Sequence, residues 1–520
     1  MAIGTVVART RKRRVLIVNC YFDDIREDIP RTRKIPMPMG PAYLAGAFDP
    51  RVCDVRVYDE FSSGALCDPK LLAWPEMVVL TGLTTSFDRM LHITAYVRTL
   101  NERVPIVAGG PGIRSFPSHA QKFFDYCCLG DIEELRKVAL EVLGSNAVAE
   151  TIHPRFDLAY WIRNVGHVES SRNCNFRCSF CTLTADGRAY QKYDLDYTRK
   201  QILDVGYKDF LLFIDNNFYG NDAQFFRERL TLLEEMHRDK RFGCWAALVT
   251  NDFFYDDANL ETAKKSGCVA LFSGVESFDT AWLSSMNKRQ NARLPQVEMI
   301  SKCLRAGIIF LYGMLLDVSS RSVDDLDREL RYVLRTPEIT LPSYLSLPIP
   351  YPGTPFFREC IDERRLLPNT RVRDLNSSVL CLKPADSMRR VQPFIARTQT
   401  LAGYRREVIS HTWKFYRKYR KALAPGQMKL CLANSASLLA HEKFTSPGWI
   451  GRTHKRTYVT SSERLDRAYQ PAFTVDPRYE HYFAPTMLTG SHGEITACLE
   501  DDVFATPPAK TRAESLVAIV

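Results

Sequence analysis

From Arg14 to about Gly144 the chain alternates short apolar runs with stretches of helical periodicity. "RVLIVNC", "DVRVYD", "MVVLTGLTTS", "VPIVAGGPG" and "FDYCCLGD" have the length and β-branched content of strands. Between them "SFDRMLHITAYVRTLNER" puts Met90, Ile93, Val97 and Leu100 on one face of a helix. Such alternation predicts a parallel sheet covered by helices, with ligands bound beyond the carboxyl ends of the strands. The segments "TGLTTS" and "AGGPG" at those ends are rich in small residues, which allow close backbone approach. Residues 145–165 read as a linker. A second alternating series follows over residues 166–365: "VGHVESS", "DFLLFIDNNF", "CWAALVTND", "CVALFSGVES", "IIFLYGMLLD" and "PSYLSLPIPYPGTP", joined by helical stretches such as "ANLETAKKSG" and "LPQVEMISKCLRAG". Six such units predict a partial or complete (β/α) barrel whose chemistry sits at the carboxyl ends of its strands. Beyond about Leu366 the alternation fades into a mainly helical region, residues 366–520. There, 401–423 read as one amphipathic helix with Leu401, Tyr404, Val408, Phe415, Tyr419 and Leu423 on one face and Arg405, Arg406, Lys414, Arg417, Lys418, Arg420 and Lys421 on the rest.

Composition changes this picture little. At 520 residues, the chain exceeds what one core organises. With 45% hydrophobic and 25% charged residues it is expected to be a water-soluble, cytoplasmic protein. No apolar run reaches the roughly 18–20 residues that span a bilayer, and "VLIV" is shorter than a signal-peptide core of about 7–15 residues. The formal charge of +10 suits an acidic substrate or partner, or a solvated basic face; it is too weak to argue for nucleic acid. The basic helix face leaves peripheral contact with a membrane surface open. The fifteen cysteines are scattered, as expected of free thiols in a reducing compartment.

One cluster breaks that scatter. "VESSRNCNFRCSFCTL" (168–183) places Cys174, Cys178 and Cys181 in a C-x3-C-x2-C array just after a predicted strand. Structural zinc requires a fourth ligand, usually from a second paired motif, and none is evident. Three thiolates without a fourth suit a four-iron cluster with one iron open.

This array, with Phe180 before its last cysteine, resembles the signature of radical S-adenosylmethionine (SAM) enzymes. "FLLFIDNNFYGN", "LFSGVESFDTAWLSSMNK" and "PIPYPGTPFF" are similar to later segments of the same barrel. The resemblance implies a [4Fe-4S] cluster on Cys174, Cys178 and Cys181. It implies SAM bound at the open iron, with Phe180, Asp215, Glu276 and Ser277 near the cofactor, and an electron donor such as flavodoxin or ferredoxin. The first domain (14–144), through "PMPMGPAYLAGAFD", "LTGLTTS", "VAGGPG" and "CLGDIEEL", resembles the cobalamin-binding domain that precedes the barrel in one subgroup. That implies corrin contacts at Gly82, Thr84, Ser86, Gly109, Gly110 and Gly130. No histidine stands in an Asp-x-His-x-x-Gly loop, so no histidine ligand to cobalt is implied.

The implied function is generation of a 5′-deoxyadenosyl radical for cobalamin-dependent methylation of an unactivated carbon in a small-molecule, lipid or natural-product intermediate. Radical cyclisation or oxidation without methyl transfer is the alternative within the enzyme class. A metal-stabilised binding protein with an anionic partner is the alternative outside it.

Overall fold

The computed structural model describes residues 11–22, 39–220, 222–368, 370–376, 379–399, 401–444 and 469–488. Residues 36–38, which open "PMPMGPAYLAGAFD", lie outside them. The chain forms two compact units: Met1–Ile162 with Glu463–Thr486, and Arg163–Ser462 with Met487–Val520.

The first unit is built on five parallel strands: β1 (Arg13–Cys20), β2 (Cys53–Asp59), β3 (Met77–Gly82), β4 (Ile106–Gly109) and β5 (Tyr126–Cys128). Their order is β2-β1-β3-β4-β5, the doubly wound arrangement whose ligand crevice opens where the winding reverses, between β1 and β3. Val15, Leu16, Ile17 and Val18 are fully buried, as both faces of such a sheet are covered. The β1–β3 register sets Cys20 beside Gly82 at the carboxyl end of the crevice. Just past β2, Glu60 accepts from the Tyr21 and Leu66 backbone N–H groups (3.0 and 2.7 Å) and is ion-paired with buried Arg89 at 2.7 Å. This fixes the chain leaving β1.

The helix Phe87–Leu100 is buried along most of its length. Met90, Ile93 and Val97 are covered as their spacing predicts, but Leu100 at the frayed end is partly exposed. The opposite face is covered by residues 469–486: Phe483 stacks on His92, Phe473 stacks on Tyr96, and Tyr469 donates to Asp88 at 2.5 Å. A segment almost 400 residues away in sequence therefore completes this core, which local periodicity could not reveal.

The second unit opens with β6 (Val165–Val168), followed by a short antiparallel clip, β7 (Ser171–Arg172) with β8 (Gln191–Lys192). Then come β9 (Phe210–Phe213), β10 (Cys244–Val249), β11 (Cys268–Ser273), β12 (Ile309–Leu311), β13 (Gly313–Leu315) and β14 (Tyr344–Ser346). The main sheet has the order β12-β11-β10-β9-β6, all parallel. "IIFLYGMLLD" makes two strands: chain direction breaks at Tyr312, whose buried hydroxyl donates to the Thr340 carbonyl. β12 stays with β11 while β13 pairs with β14, and a parallel bridge between Glu276 and Met314 joins the two sheets. The result is six successive βα positions in an open, partial barrel; no closed barrel forms among the described residues.

Two faces of these strands differ in chemistry. Leu211, Phe213, Trp245, Ala247 and Leu271 are buried on the outer side. On the other side His167, Leu212, Ala246, Ala270 and Ile309 form one row and Leu248, Phe272 and Leu311 the next. Tyr344 stacks over Phe272 with rings 14° apart. Cys431, on the helix Pro425–Phe444, packs against the first row.

The long helix expected over 401–423 is shorter. Leu401 takes a left-handed backbone (φ 48°), a tight turn follows, and the helix runs Arg405–Tyr419. Its expected apolar face is nonetheless the buried one.

Candidate functional site

The clip of β7 and β8 frames the cysteine loop at the carboxyl end of β6. Three consecutive residues after β9 hold that loop. Asp215 accepts from the Ser170 backbone N–H (2.9 Å), the Ser170 hydroxyl (2.7 Å) and the Ser171 hydroxyl. Asn216 accepts from the Asn173 backbone N–H at 3.1 Å, and Asn217 donates to the Asn175 side chain at 2.7 Å. Asn173 is left-handed (φ 66°), which turns the chain toward Cys174. Asn favours such a turn more than most side chains.

Asp215 is fully buried, 3.4 Å from Arg229, whose guanidinium lies 3.6 Å from the Phe218 ring centre. Burial pushes the carboxyl up, and Arg229 and the serine donors oppose that rise. The Asp215 side chain faces the chain and anchors the cysteine loop.

The loop docks on its other side against residues 286–290. Ser179 N–H donates to the Met286 carbonyl (3.1 Å), and Asn287 donates to the Arg177 carbonyl (2.7 Å). Gln290 Nε2 lies 3.5 Å from Cys178 Sγ. Phe356 N–H donates to the Ser179 carbonyl (3.0 Å), which ties in the "PYPGTP" turn. Thr354 in that turn caps the helix Pro355–Asp362.

Lys288 Nζ is 2.9 Å from Glu276 and 5.5 Å from the centre of the Phe180 ring. Burial works against its charge, but Glu276 and the thiols of Cys178 and Cys181 outweigh it, so its pKa is raised. Glu276 holds a left-handed backbone (φ 61°) that few non-glycine residues adopt outside functional sites. A Cβ at Gly274 would collide with the Glu276 carboxylate and approach Lys288 Nζ to 2.8 Å. Cys174, Cys178, Cys181, Phe180 and Glu276 are thus brought to one rim. Ser277 is not: its hydroxyl donates to Glu329 (2.6 Å) and accepts from Arg321 (3.2 Å) in a buried network.

Burial pushes the Cys174 thiol up to about 11 and raises Cys181 as well. Ionising these thiols therefore calls for positive charge at the loop, which metal coordination supplies. Among the described residues no three His, Cys, Asp or Glu side chains converge closely enough to hold a single ion. A cubane spreads its thiolates over three different irons, so its ligands stand further apart than those of one zinc.

In the first unit, the strand ends form a shelf of small residues. Gly110 is left-handed (φ 87°), and a Cβ there would come within 2.8 Å of Thr81 Oγ1. A Cβ at Gly82 would approach the Cys20 carbonyl to 3.1 Å, and one at Gly109 would approach Cys128 Cβ to 3.4 Å. Gly130 N–H donates to Glu134. Thr84 is buried against Ser115 (3.0 Å), whereas the buried Ser86 hydroxyl has no hydrogen-bond partner among the described residues. Leu83, at the end of β3, is 59% exposed, and Leu129, just after β5, is also exposed. The shelf therefore offers glycine backbone and isolated apolar side chains, a surface that fits a flat, largely apolar macrocycle.

Sequence reasoning missed Lys288, Gln290, Asn216, Asn217 and Leu83. Lys288 ends the recognised "SSMNK" stretch and the two asparagines lie inside "FIDNNF", so those signals were present. Leu83 likewise lies inside "LTGLTTS"; only Gln290, outside every recognised segment, gave none.

Residues 168–330 match the radical SAM superfamily. An uncharacterised methyltransferase of Synechocystis is 24% identical over 68% of both chains. The hopanoid C-2 methylase of Rhodopseudomonas palustris is 22% identical over 64% of this chain and 66% of its own length. A bacteriochlorophyllide d C-12(1)-methyltransferase of Chlorobaculum tepidum is 30% identical over 38% of this chain and 42% of its own. The fold is similar to that of the cobalamin-dependent SAM radical enzyme OxsB (TM-score 0.56, 16% identity, 88% of this chain and 78% of that one). It is likewise similar to the radical SAM methyltransferase TsrM of Kitasatospora setae (TM-score 0.53, 16% identity, 69% and 78%). Residues 168–330 thus carry a radical SAM domain, and the likeness to methyltransferases indicates an enzyme. Its parallel α/β fold is similar to that of the cobalamin-dependent structures.

Proposed function

We propose that this protein transfers a methyl group from cobalamin to an unactivated carbon of an apolar biosynthetic intermediate, using a radical made from SAM. The observation that carries the radical part is the cysteine loop, clamped from one side by Asp215, Asn216 and Asn217 and from the other by residues 286–290. Cys174, Cys178 and Cys181 would hold a [4Fe-4S] cluster, which supplies the electron that cleaves SAM. Gly82, Thr84, Ser86, Gly109, Gly110 and Gly130 would hold cobalamin on the shelf, where it would supply a methyl carrier.

The chain's own residues prepare that chemistry. Gln290 donates toward the Cys178 sulfur, and a hydrogen bond to a cluster thiolate raises its reduction potential. Lys288 keeps positive charge beside the thiolates, and Glu276, held by that lysine, presents a carboxylate at the strand end that can accept from a bound amino or ribose group. Leu212, Leu248, Phe272, Leu311 and Tyr344 face the open side of the sheet and exclude water from a radical site. Their apolar, aromatic character favours a hydrophobic substrate, as do the names of the hopanoid and bacteriochlorophyllide methylating relatives.

Anaerobic reconstitution with iron, sulfide, cobalamin, SAM and a low-potential reductant tests this. Formation of both 5′-deoxyadenosine and S-adenosylhomocysteine, with cobalamin retained, is the expected result. Deoxyadenosine alone would sink methyl transfer and leave a radical oxidation or cyclisation. Zinc in place of iron, with no SAM cleavage, would sink the enzyme reading altogether.

A further inference from the structure

The helix Arg405–Tyr419 buries Val408, His411, Phe415 and Tyr419 against the second unit. Its opposite stripe, at i, i+4, i+7 and i+11, carries Ile409, Trp413, Tyr416 and Arg420. Ile409 is 53% exposed and Trp413 59%, and Trp413 stacks on Tyr416 with ring centres 6.0 Å apart. The next helix, Pro425–Phe444, adds Leu430 at 63% exposure. Tyr416, Leu423, Met428 and Leu432 line a groove of about 580 Å³ between the two helices, with Arg420 and Lys429 also on its walls.

Charge around this apolar stripe is of one sign. Over residues 401–438 there are eight lysines and arginines and a single acid, Glu407. Glu407 is paired with Arg331, and Lys418 with Glu338. Arg405, Arg406, Lys414, Arg417, Arg420, Lys421 and Lys429 are exposed, and none forms an ion pair among the described residues. These seven cations therefore lack neutralising partners within the described fold.

We propose that this helix pair docks the enzyme on an anionic lipid bilayer, with Ile409, Trp413, Tyr416 and Leu430 entering the headgroup boundary and the cations resting on lipid phosphates. Three features favour lipid over an acidic protein. Exposed Arg406, Lys414, Arg417 and Arg420 are interspersed along the apolar stripe, the mixed pattern of an interfacial helix. Trp and Tyr are side chains of membrane interfaces, apolar in body and polar at the tip. Arg and Lys stems can lie along the surface while their heads reach phosphate. No described helix is long and apolar enough to cross a membrane, so contact through this element is interfacial. The inference stands independently of methyl transfer.

Co-sedimentation of the reconstituted full chain with vesicles tests it. Vesicles containing phosphatidylglycerol should bind the protein at low salt, pure phosphatidylcholine vesicles should not, and binding should weaken as salt rises. Each cation removed, as in Arg417→Gln, is expected to lower the partition coefficient about five-fold. The double change Ile409→Ser with Leu430→Ser should abolish residual binding at high salt, and Trp413 emission should shift to the blue on lipid. Iron content and SAM cleavage report that these surface variants are folded. Equal binding to both vesicle types, no binding to either, or binding unchanged by these substitutions would overturn the proposal. So would self-association through this face that disappears in the same variants while vesicles remain unbound.

Discussion

The rim of the second unit and the shelf of the first both lie at the carboxyl ends of parallel strands, yet they are built by opposite means. At the rim, side chains are held by buried charge: Asp215 with Arg229 and Glu276 with Lys288. At the shelf, the same position is kept clear by removing side chains, at Gly82, Gly109 and Gly110, and by the left-handed turn at Gly110. A loop that must hold three thiolates at fixed spacing needs ordering from several directions. A surface that meets a broad macrocycle needs only to stay out of its way. The first design is expected to fail by loss of charge balance, and the second by gain of a methyl group.

Cys178→Ala separates the two most completely. Iron should fall from about four per chain to near zero and SAM cleavage to background, with cobalamin retention unchanged; retained cleavage would remove the cluster from this loop. Next in size, Arg229→Met strands the buried Asp215 carboxylate. Denaturant unfolding should show a loss of about 3–5 kcal/mol, with hydrogen exchange faster in β6 and β9 and unchanged in β1 and β3. A loss spread equally over both units would break the contrast.

Acidification is expected to act on the second unit through His167, which is buried in the row with Leu212. Burial lowers its pKa from 6.5 to about 4. Because the folded value is depressed, the unfolded chain takes up the proton first as pH falls. The stability contributed by neutral His167 is complete above pH 6.5 and lost between there and about 4. That loss amounts to about 3 kcal/mol. Denaturant titrations at pH 7 and 4.5 should show this slope in the native chain and a shallower one in His167→Asn.

The smallest effect belongs to the shelf. Gly110→Ala places a Cβ in a left-handed position at a cost of about 1–2 kcal/mol. Cobalamin retention should weaken while iron per chain and SAM cleavage stay at native levels. Simultaneous loss of iron would mean the two sites are not built independently.

The alternation of "RVLIVNC" or "DFLLFIDNNF" with helical stretches was enough to find two parallel α/β units, because burial on both faces leaves uninterrupted apolar runs. The cysteine array was legible for a different reason: a loop ligand set carries its spacing in the sequence itself. Asp215 and Ser277 show where this stopped. Both stand in recognised motifs at strand ends, but side-chain direction depends on partners far along the chain, Arg229 for one and Glu329 for the other. The break of "IIFLYGMLLD" into β12 and β13 was hidden because both halves are equally apolar.

The amino-acid sequence by itself determined the order of strands and helices, the positions of the three thiols and the chemistry they invite. Local periodicity and ligand spacing are properties of neighbouring residues. Tertiary structure alone decided that Asp215, Asn216 and Asn217 clamp the cysteine loop, that Lys288 and Gln290 stand beside it, and that residues 469–486 cover the helix Phe87–Leu100. Each of these depends on contacts between distant segments, whose partners are chosen by packing and charge compensation in the folded chain.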